Sequence, residues 1–372
     1  MSMNTTRRRL LQASGFATGL AMLEFSGLGR LALAASPGQN RLLVVVLRGA
    51  MDGLGAVVPY GDSAYADARG TLAMPQNGDD LIRLDSFFAL PNALQSLAPL
   101  YQQKQMLVLH ASATSYRERS HFDAQDCLEN GSNTAHGLNS GWLNRSLAAL
   151  QTDSSAIAVG PNIPLVLRGN SPVNSWAPSV LPNVDDEFLM RVMSMYDADV
   201  QMQKTLAQAQ EMTDMSEGMT IANNNKAFIG LMQKAASFMT GNNPARIGTV
   251  ELGGWDTHSN QGLATGRLAT NLKLLADGLV AYQQAMGAQW KQTAVLVVTE
   301  FGRTVKVNGS NGTDHGTASA AFLLGGNING GQVIGDWPGL NKLYEDRDLI
   351  PSNDLRSLFK SVLNQHMGIS TG

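Results

Sequence analysis

The clearest signal along the chain is a set of short, uninterrupted apolar runs, each ending in a cluster of polar residues. Leu42-Leu43-Val44-Val45-Val46-Leu47 is rich in Leu and β-branched residues. Runs of this kind predict strands buried on both faces, as in parallel sheets. Met106-Leu107-Val108-Leu109-His110 predicts a second strand and Ile247-Gly248-Thr249-Val250-Glu251-Leu252 a third. Val295-Leu296-Val297-Val298-Thr299 and Ala320-Ala321-Phe322-Leu323-Leu324 predict a fourth and a fifth. Between the third and fourth, Leu268, Leu272, Leu275, Leu279, Tyr282, Met286 and Trp290 recur at steps of three or four, the period of an amphipathic helix. This alternation predicts an α/β fold: a doubly wound, largely parallel sheet with helices on both faces.

Four of the runs lead directly into polar clusters. The first gives Arg48-Gly49-Ala50-Met51-Asp52-Gly53, and the second Arg117-Glu118-Arg119-Ser120-His121-Phe122-Asp123. The third gives Gly253-Gly254-Trp255-Asp256-Thr257-His258. The fourth gives Glu300-Phe301-Gly302-Arg303-Thr304 and then Gly312-Thr313-Asp314-His315-Gly316. In an open parallel sheet the carboxyl ends share one edge, where ligands bind, so segments far apart in sequence are expected to converge on one crevice. The gathered types are Asp, Glu, His and one Ser. Carboxylate oxygens with imidazole nitrogens suit Zn²⁺ or Mn²⁺, as one or two ions.

The metal candidates are therefore Asp52, His121, Asp256, His258, Glu300, Asp314 and His315. A serine hydroxyl beside a divalent cation ionises more readily, which makes Ser120 the candidate nucleophile. Arg117, Arg119 and Arg303 are candidates for clamping substrate oxygens. Each has an ordinary alternative. Asp-Gly at 52–53 suits a turn. Ser120 followed by Asp123 suits the N-terminus of a helix running from Ser120 to Asn130. A lone His258 or His315 suits a hydrogen-bonded loop. Glu300 resists such a reading, because a carboxylate ending a buried strand needs a partner. Three of the six histidines fall in these clusters with carboxylates. His110, His136 and His366 have no such company and read as structural.

The N-terminus reads as an address. Thr5-Thr6-Arg7-Arg8-Arg9-Leu10-Leu11 precedes an apolar Gly/Ala-rich stretch and the small-residue site Ala32-Leu33-Ala34-Ala35. The pattern predicts a twin-arginine export signal over residues 1–34 and a periplasmic or secreted protein. Glu24 and Arg30 interrupt the stretch, so a membrane span of about 20 residues is disfavoured. The remaining residues, 35–372, are expected to form one domain.

Charge and composition narrow the classes further. The 372 residues carry a net charge of -3, which becomes -6 once residues 1–34, with four Arg and one Glu, are removed. No basic cluster lies beyond the N-terminus, which argues against a nucleic-acid partner. A single cysteine, Cys127, rules out an intrachain disulfide and a cysteine zinc site. Residues 184–240 hold nine of the 17 methionines, with Met212, Met215 and Met219 at helical spacing. This predicts a helical insertion capping the crevice, its methionines filling a core or an adaptable groove. Asn308-Gly309-Ser310-Asn311-Gly312 predicts a flexible loop that delivers Asp314 and His315, in the manner of a lid.

The five polar blocks, in order, resemble the signature blocks of a bacterial family, domain of unknown function 1501. That family is in turn similar to the alkaline phosphatase and sulfatase superfamily. The resemblance implies a doubly wound α/β fold with a two-metal site at the carboxyl edge. It implies that Asp52 binds one metal with Glu300, that Asp256 and His258 serve the other, and that His315, with Asp314, is the last ligand. It places Ser120 at the nucleophile. Two departures stand out: Phe301 follows Glu300 where a His is usual, and Asp256-Thr257-His258 is a shortened spacing. Cys127 and Ser120 both lack the Pro and Arg context of a formylglycine sulfatase. The expected activity is metal-dependent hydrolysis of a small-molecule or glycan ester of phosphate or sulfate. The alternative is a non-catalytic periplasmic protein that holds an anionic glycan or protein partner.

Overall fold

The computed structural model describes residues 39–75, 80–150, 155–178, 195, 199–202, 204–205 and 225–371. The chain divides into units 1–30 and 31–372, and all described residues belong to the second. The expected export signal and the helix-spaced Met212, Met215 and Met219 lie outside the described residues. Among the described residues no helix is long and apolar enough to cross a membrane.

The strands, in chain order, are β1 (Arg41–Leu47), β2 (Leu81–Arg83), β3 (Ala89–Pro91), β4 (Met106–Ala113), β5 (Ala156–Val159), β6 (Asn174–Trp176), β7 (Ile247–Leu252), β8 (Thr293–Thr299), β9 (Ser319–Gly325), β10 (Gln332–Ile334) and β11 (Asn353–Asp354). The helices used below are α1 (Gly53–Ala56), α2 (Tyr65–Arg69), α3 (Ala98–Gln102), α4 (His121–Asn130), α5 (Trp142–Ala149), α6 (Asn225–Thr240), α7 (Arg267–Met286) and α8 (Leu355–Ser361). Nine strands form one sheet in the order β10-β4-β9-β8-β1-β7-β5-β6, with β11 also on β4. β2 and β3 form a separate antiparallel pair.

All five predicted strands are present. β1 lies between β7 and β8, parallel to both, and is buried along its whole length. Its side chains alternate: Leu43, Val45 and Leu47 join the core under α6 and α7, whereas Leu42, Val44 and Val46 join the core under α5 and α8. A strand with apolar residues on both faces needs cover on both, and the helices supply it. The fold is the expected α/β architecture, a largely parallel sheet between helical layers.

β9 departs from the parallel pattern. It runs antiparallel to both β8 and β4. A parallel return needs a crossover of a dozen or more residues, usually a helix, to regain the opposite edge. Residues 300–318 contain no helix, so the chain re-enters the sheet from the edge it left.

Residues 225–240 also differ from the expected cap. They form α6, which packs on α7 and the sheet, with Phe228, Met232, Ala235, Ala236 and Met239 in the core. Met232 and Met239 are fully buried filling residues. Most of residues 184–224 lie outside the described residues.

Candidate metal centre

Register brings the polar clusters to one level. Leu47 at the end of β1 pairs with Leu252 of β7 on one side and Thr299 of β8 on the other. The residues that follow therefore leave the sheet together: Arg48 to Asp52, Gly253 to His258, and Glu300 to Arg303. Two glycines permit the close approaches this requires. Gly49 has φ +116°, and a Cβ there would lie 2.6 Å from the backbone nitrogen of Asp256. A Cβ on Gly302 would lie 1.8 Å from the carbonyl oxygen of Ala318.

His315 reaches the same place by a different route. Past the ends of β8 and β9 the two chains stay paired: Gly302 N donates to Thr317 O at 2.9 Å, Gly316 N to Gly302 O at 2.8 Å, and Thr304 N to Asp314 O at 2.9 Å. Arg303 and His315 are bridge partners in this antiparallel extension. Because β9 is antiparallel, His315 precedes its strand and still sits at the carboxyl edge of the others. His121, the first residue of α4, arrives from the loop after β4.

Three imidazoles meet there. Nε2 of His315 lies 3.0 Å from Nε2 of His121 and 3.0 Å from Nε2 of His258. The Asp256 carboxylate completes the group, with Oδ1 at 2.9 Å from His258 Nε2 and 3.3 Å from His315 Nε2, and Oδ2 at 3.6 Å from His121 Nε2. Ligand atoms of His121, Asp256 and His315 all lie within 4.8 Å of one another, a spacing that can hold a metal ion.

The opposite ring nitrogens fix the tautomers. His121 Nδ1 donates to Glu300 Oε1 at 2.8 Å, His258 Nδ1 to Asp314 Oδ1 at 3.2 Å, and His315 Nδ1 to the Arg119 carbonyl at 3.0 Å. A carbonyl only accepts, so His315 must protonate Nδ1. The carboxylates direct His121 and His258 the same way. In the neutral rings every Nε2 then presents a lone pair to a common point, beside a carboxylate. Only a cation or added protons can satisfy that arrangement. Histidines held through Nδ1 by carboxylates and carbonyls, with Nε2 converging, form the donor set of a divalent site, so the residues present fit such an ion.

Electrostatics agree. The hydrogen bond to Glu300 holds the His121 pKa above its ordinary value against opposing burial, helped by the charges of Glu300 and Asp256. Burial, reinforced by charge on His121, pushes His315 below its ordinary value. Burial opposes ionisation of Glu300, but bonds from His121, Gly49 N and Gln125 outweigh it and lower its pKa. Burial likewise opposes ionisation of Asp256, and Arg303 overcomes it. Asn308 chiefly holds Asp314 low.

Three of the carboxylate candidates are engaged away from the converging Nε2 atoms. Glu300 and Asp314 face the outer nitrogens of His121 and His258. Asp52 is 1% exposed, and its oxygens are taken. Oδ1 caps α1 by accepting from Leu54 N and Gly55 N. Oδ2 accepts from Arg69 Nη2 at 2.5 Å and from Gln261 Nε2 at 2.7 Å. Ser120 is the N-cap of α4, its Oγ accepting a long 3.5 Å bond from Asp123 N.

The guanidinium of each of the three arginines has protein acceptors. Arg117 donates to the carbonyls of Thr114 and Tyr116. Arg119 pairs with Asp348 and Glu345, and only its carbonyl touches the site. Arg303, 2% exposed, donates to Asp256 Oδ1 at 2.5 Å, to Thr313 Oγ1 at 3.1 Å and to the Thr313 carbonyl. It orients Asp256. The expected lid is tied down as well. Asn308 Nδ2 donates to the His258 carbonyl and to Asp314 Oδ1, and its Oδ1 accepts from Ser310 N and Gly312 N.

Sequence reasoning missed Gln125, whose Nε2 donates to Glu300 Oε1 at 3.1 Å. It sits four residues after His121 on α4, so helical spacing places it on the same face. It also missed roles for Thr257 and Thr313, which lie inside the quoted blocks, and for Gln261, which lies in none of them.

Fold and site together define an α/β protein with a His/Asp cluster at the carboxyl edge of a mostly parallel sheet. The model of the family described as Protein of unknown function (DUF1501) matches residues 110–371, and the chain belongs to that family. The block around Asp52 lies before the matched stretch. No curated protein matches the chain in sequence. Among solved structures it is similar to the C-terminal periplasmic domain of EcEptC from Escherichia coli in complex with Zn, at 12% identity over 80% of this chain and 76% of that one, with a TM-score of 0.39. It is similar to a putative sulfatase from Bacteroides thetaiotaomicron VPI-5482, at 10% identity over 90% of this chain and 72% of that one, with a TM-score of 0.43. It is also similar to a TAB5 alkaline phosphatase mutant with Mg bound in the M3 site, at 10% identity over 91% of this chain and 100% of that one, with a TM-score of 0.40.

Proposed function

We propose that this chain is an exported, metal-dependent hydrolase of phosphate or sulfate esters, with a divalent ion held by His121, Asp256, His258 and His315. One observation carries the reading: three imidazole Nε2 atoms converge, His315 lying 3.0 Å from each of the other two, while every Nδ1 is anchored to an acceptor. Three nitrogen donors and one carboxylate favour Zn²⁺ over Mn²⁺, which prefers more oxygen. When bound, such an ion supplies a Lewis acid for an ester oxygen and lowers the pKa of water. Arg303 holds Asp256 ionised and oriented, and Glu300, accepting from Nδ1, orients the His121 ring. His258 and Asp256 are partly exposed, so a substrate reaches the ligands from solvent. Ser120 is the candidate nucleophile, adjoining His121 at the start of α4.

A second reading is favoured by the arginines. Arg119 and Arg303 are paired with protein carboxylates, and Arg117 already donates through Nη1 to two backbone carbonyls. On that reading the chain binds an anionic glycan or protein partner without turning it over.

Metal analysis of the purified protein, followed by aryl-phosphate and aryl-sulfate assays with added Zn²⁺ and Mn²⁺, separates the two. Hydrolase function predicts about one equivalent of metal, as a single four-donor site takes, and turnover that Ser120→Ala abolishes while metal is retained. Metal with no turnover on either ester favours the second reading. Protein that takes up no metal refutes both the centre and the hydrolase.

A further inference from the structure

Gln261 lies three residues beyond His258, is fully buried, and belongs to no recognisable motif. Its amide oxygen accepts from two hydroxyls: Thr257 Oγ1 at 2.8 Å and Thr313 Oγ1 at 2.6 Å. Thr257 stands between Asp256 and His258. Thr313 stands two residues before His315 and also receives Arg303 Nε, part of the guanidinium that orients Asp256. The Gln261 amide nitrogen donates to Asp52 Oδ2, which is itself held by the buried Arg69. Its backbone adds two ties, accepting from Leu268 N at the start of α7 and donating to the Asn311 carbonyl. One side chain thus joins the two loops that carry Asp256, His258 and His315, and fastens them to the end of β1. The amide can be placed only one way round, because Asp52 offers an acceptor and the threonines offer donors.

We infer that Gln261 is the positioning residue of the metal centre: it sets the distance between the 256–258 and 313–315 loops and hence the convergence of the ligands. This rests on the metal reading above. It assigns the fully buried Gln261 a role in metal affinity, beyond satisfying two hydroxyls. Hydrogen-bonded groups behind metal ligands change affinity by about 10–100-fold when removed. Glutamine suits the task because a single planar amide presents an acceptor to both threonines and a donor to the carboxylate on its other side. Leucine has similar bulk and offers neither.

The test measures Zn²⁺ affinity by competition with a chromophoric chelator, and the visible spectrum of the Co²⁺-loaded protein. The variants are Gln261→Leu and Thr313→Val, with Leu358→Ala as a control for lost stability, since Leu358 is buried in the opposite core. Urea midpoints of the metal-free proteins give the stability of each. Gln261→Leu is expected to weaken Zn²⁺ binding at least about tenfold and to change the Co²⁺ spectrum. Thr313→Val is expected to weaken binding less, and the control not at all at comparable stability loss. Affinity within twofold of wild type in Gln261→Leu overturns the inference while leaving the metal centre standing. An equal loss of affinity in the control overturns it too. Should Gln261→Leu fail to fold, unchanged Zn²⁺ affinity in Thr313→Val overturns it equally. A wild-type protein that binds no Zn²⁺ overturns both the inference and the metal centre.

Discussion

Replacing Asp52 by asparagine (Asp52→Asn) tests whether this residue serves the metal or the fold. The carboxylate lies 2.5 Å from Arg69 Nη2, and side-chain exposure is 1% for Asp52 and 0% for Arg69. The amide would keep a carbonyl for the α1 cap but turn its N–H₂ toward Arg69 and Gln261, both donors. The Coulombic loss is about 4 kcal/mol for unit charges near 4 Å at an effective dielectric of about 20. Breaking a buried pair by removing one partner costs about 3–5 kcal/mol, because the remaining charge is buried without compensation. The two figures agree. With a urea slope of about 3 kcal/mol/M, the midpoint should fall by about 1 M or more. The assay is urea unfolding followed by far-ultraviolet circular dichroism, with and without saturating Zn²⁺. The structure predicts that the full loss is present already in the metal-free protein, with unchanged Zn²⁺ stoichiometry. A loss well below the buried-pair range, under about 1 kcal/mol, or one seen only with Zn²⁺ present, would falsify the ion-pair assignment and return Asp52 to the ligand set implied by the family resemblance.

Two other outcomes follow from local geometry. Burial depresses the pKa of His110 and of His366 to about 4. Each is hydrogen-bonded through Nε2 to a carbonyl, of Val57 and Arg41 respectively. The folded state therefore binds fewer protons than the unfolded chain, and stability is lost as pH falls from about 6.5 towards 4. The loss at pH 5 is about 2 kcal/mol per histidine. Urea midpoints at pH 7 and pH 5 check this, and equal values would contradict it. Gly302→Ala would drive a Cβ into the Ala318 carbonyl, forcing apart the paired extension that carries His315. The expected cost is about 1–3 kcal/mol or more, with weaker Zn²⁺ binding. A variant with wild-type stability and affinity would show that the extension yields freely.

Much of this protein can be read from its residues in order. The strands are legible because a strand covered on both faces must be apolar throughout, and Leu42 to Leu47 and Val295 to Thr299 are nearly so. The gathering of His121, His258 and His315 is legible because chain ends on one sheet edge have nowhere else to go. The helical residues of α7 declare themselves by period alone. Partners within the gathered set were not legible in the same way. Glu300 and Asp314 turned out to face the outer nitrogens of His121 and His258, and Asp52 to face Arg69. A residue type states what a side chain can bind, and only packing states what stands opposite it.

The direction of β9 is the clearest example. Its apolar run is the same whether the strand runs parallel or antiparallel, since both leave identical side chains to bury. The missing helix in residues 300–318 carried the signal, because without a crossover the strand can enter only from the near edge. That reversal delivers His315 to the other ligands. Periodicity and functional groups were enough for the layers, the shared edge and the donor chemistry, because each of these is written in neighbouring residues. Which nitrogen faces inward, which arginines are occupied and which carboxylate is buried emerged only once the chain was folded. Those features depend on contacts between residues as far apart as Arg119 and His315, or Asp52 and Gln261, and no local pattern encodes them.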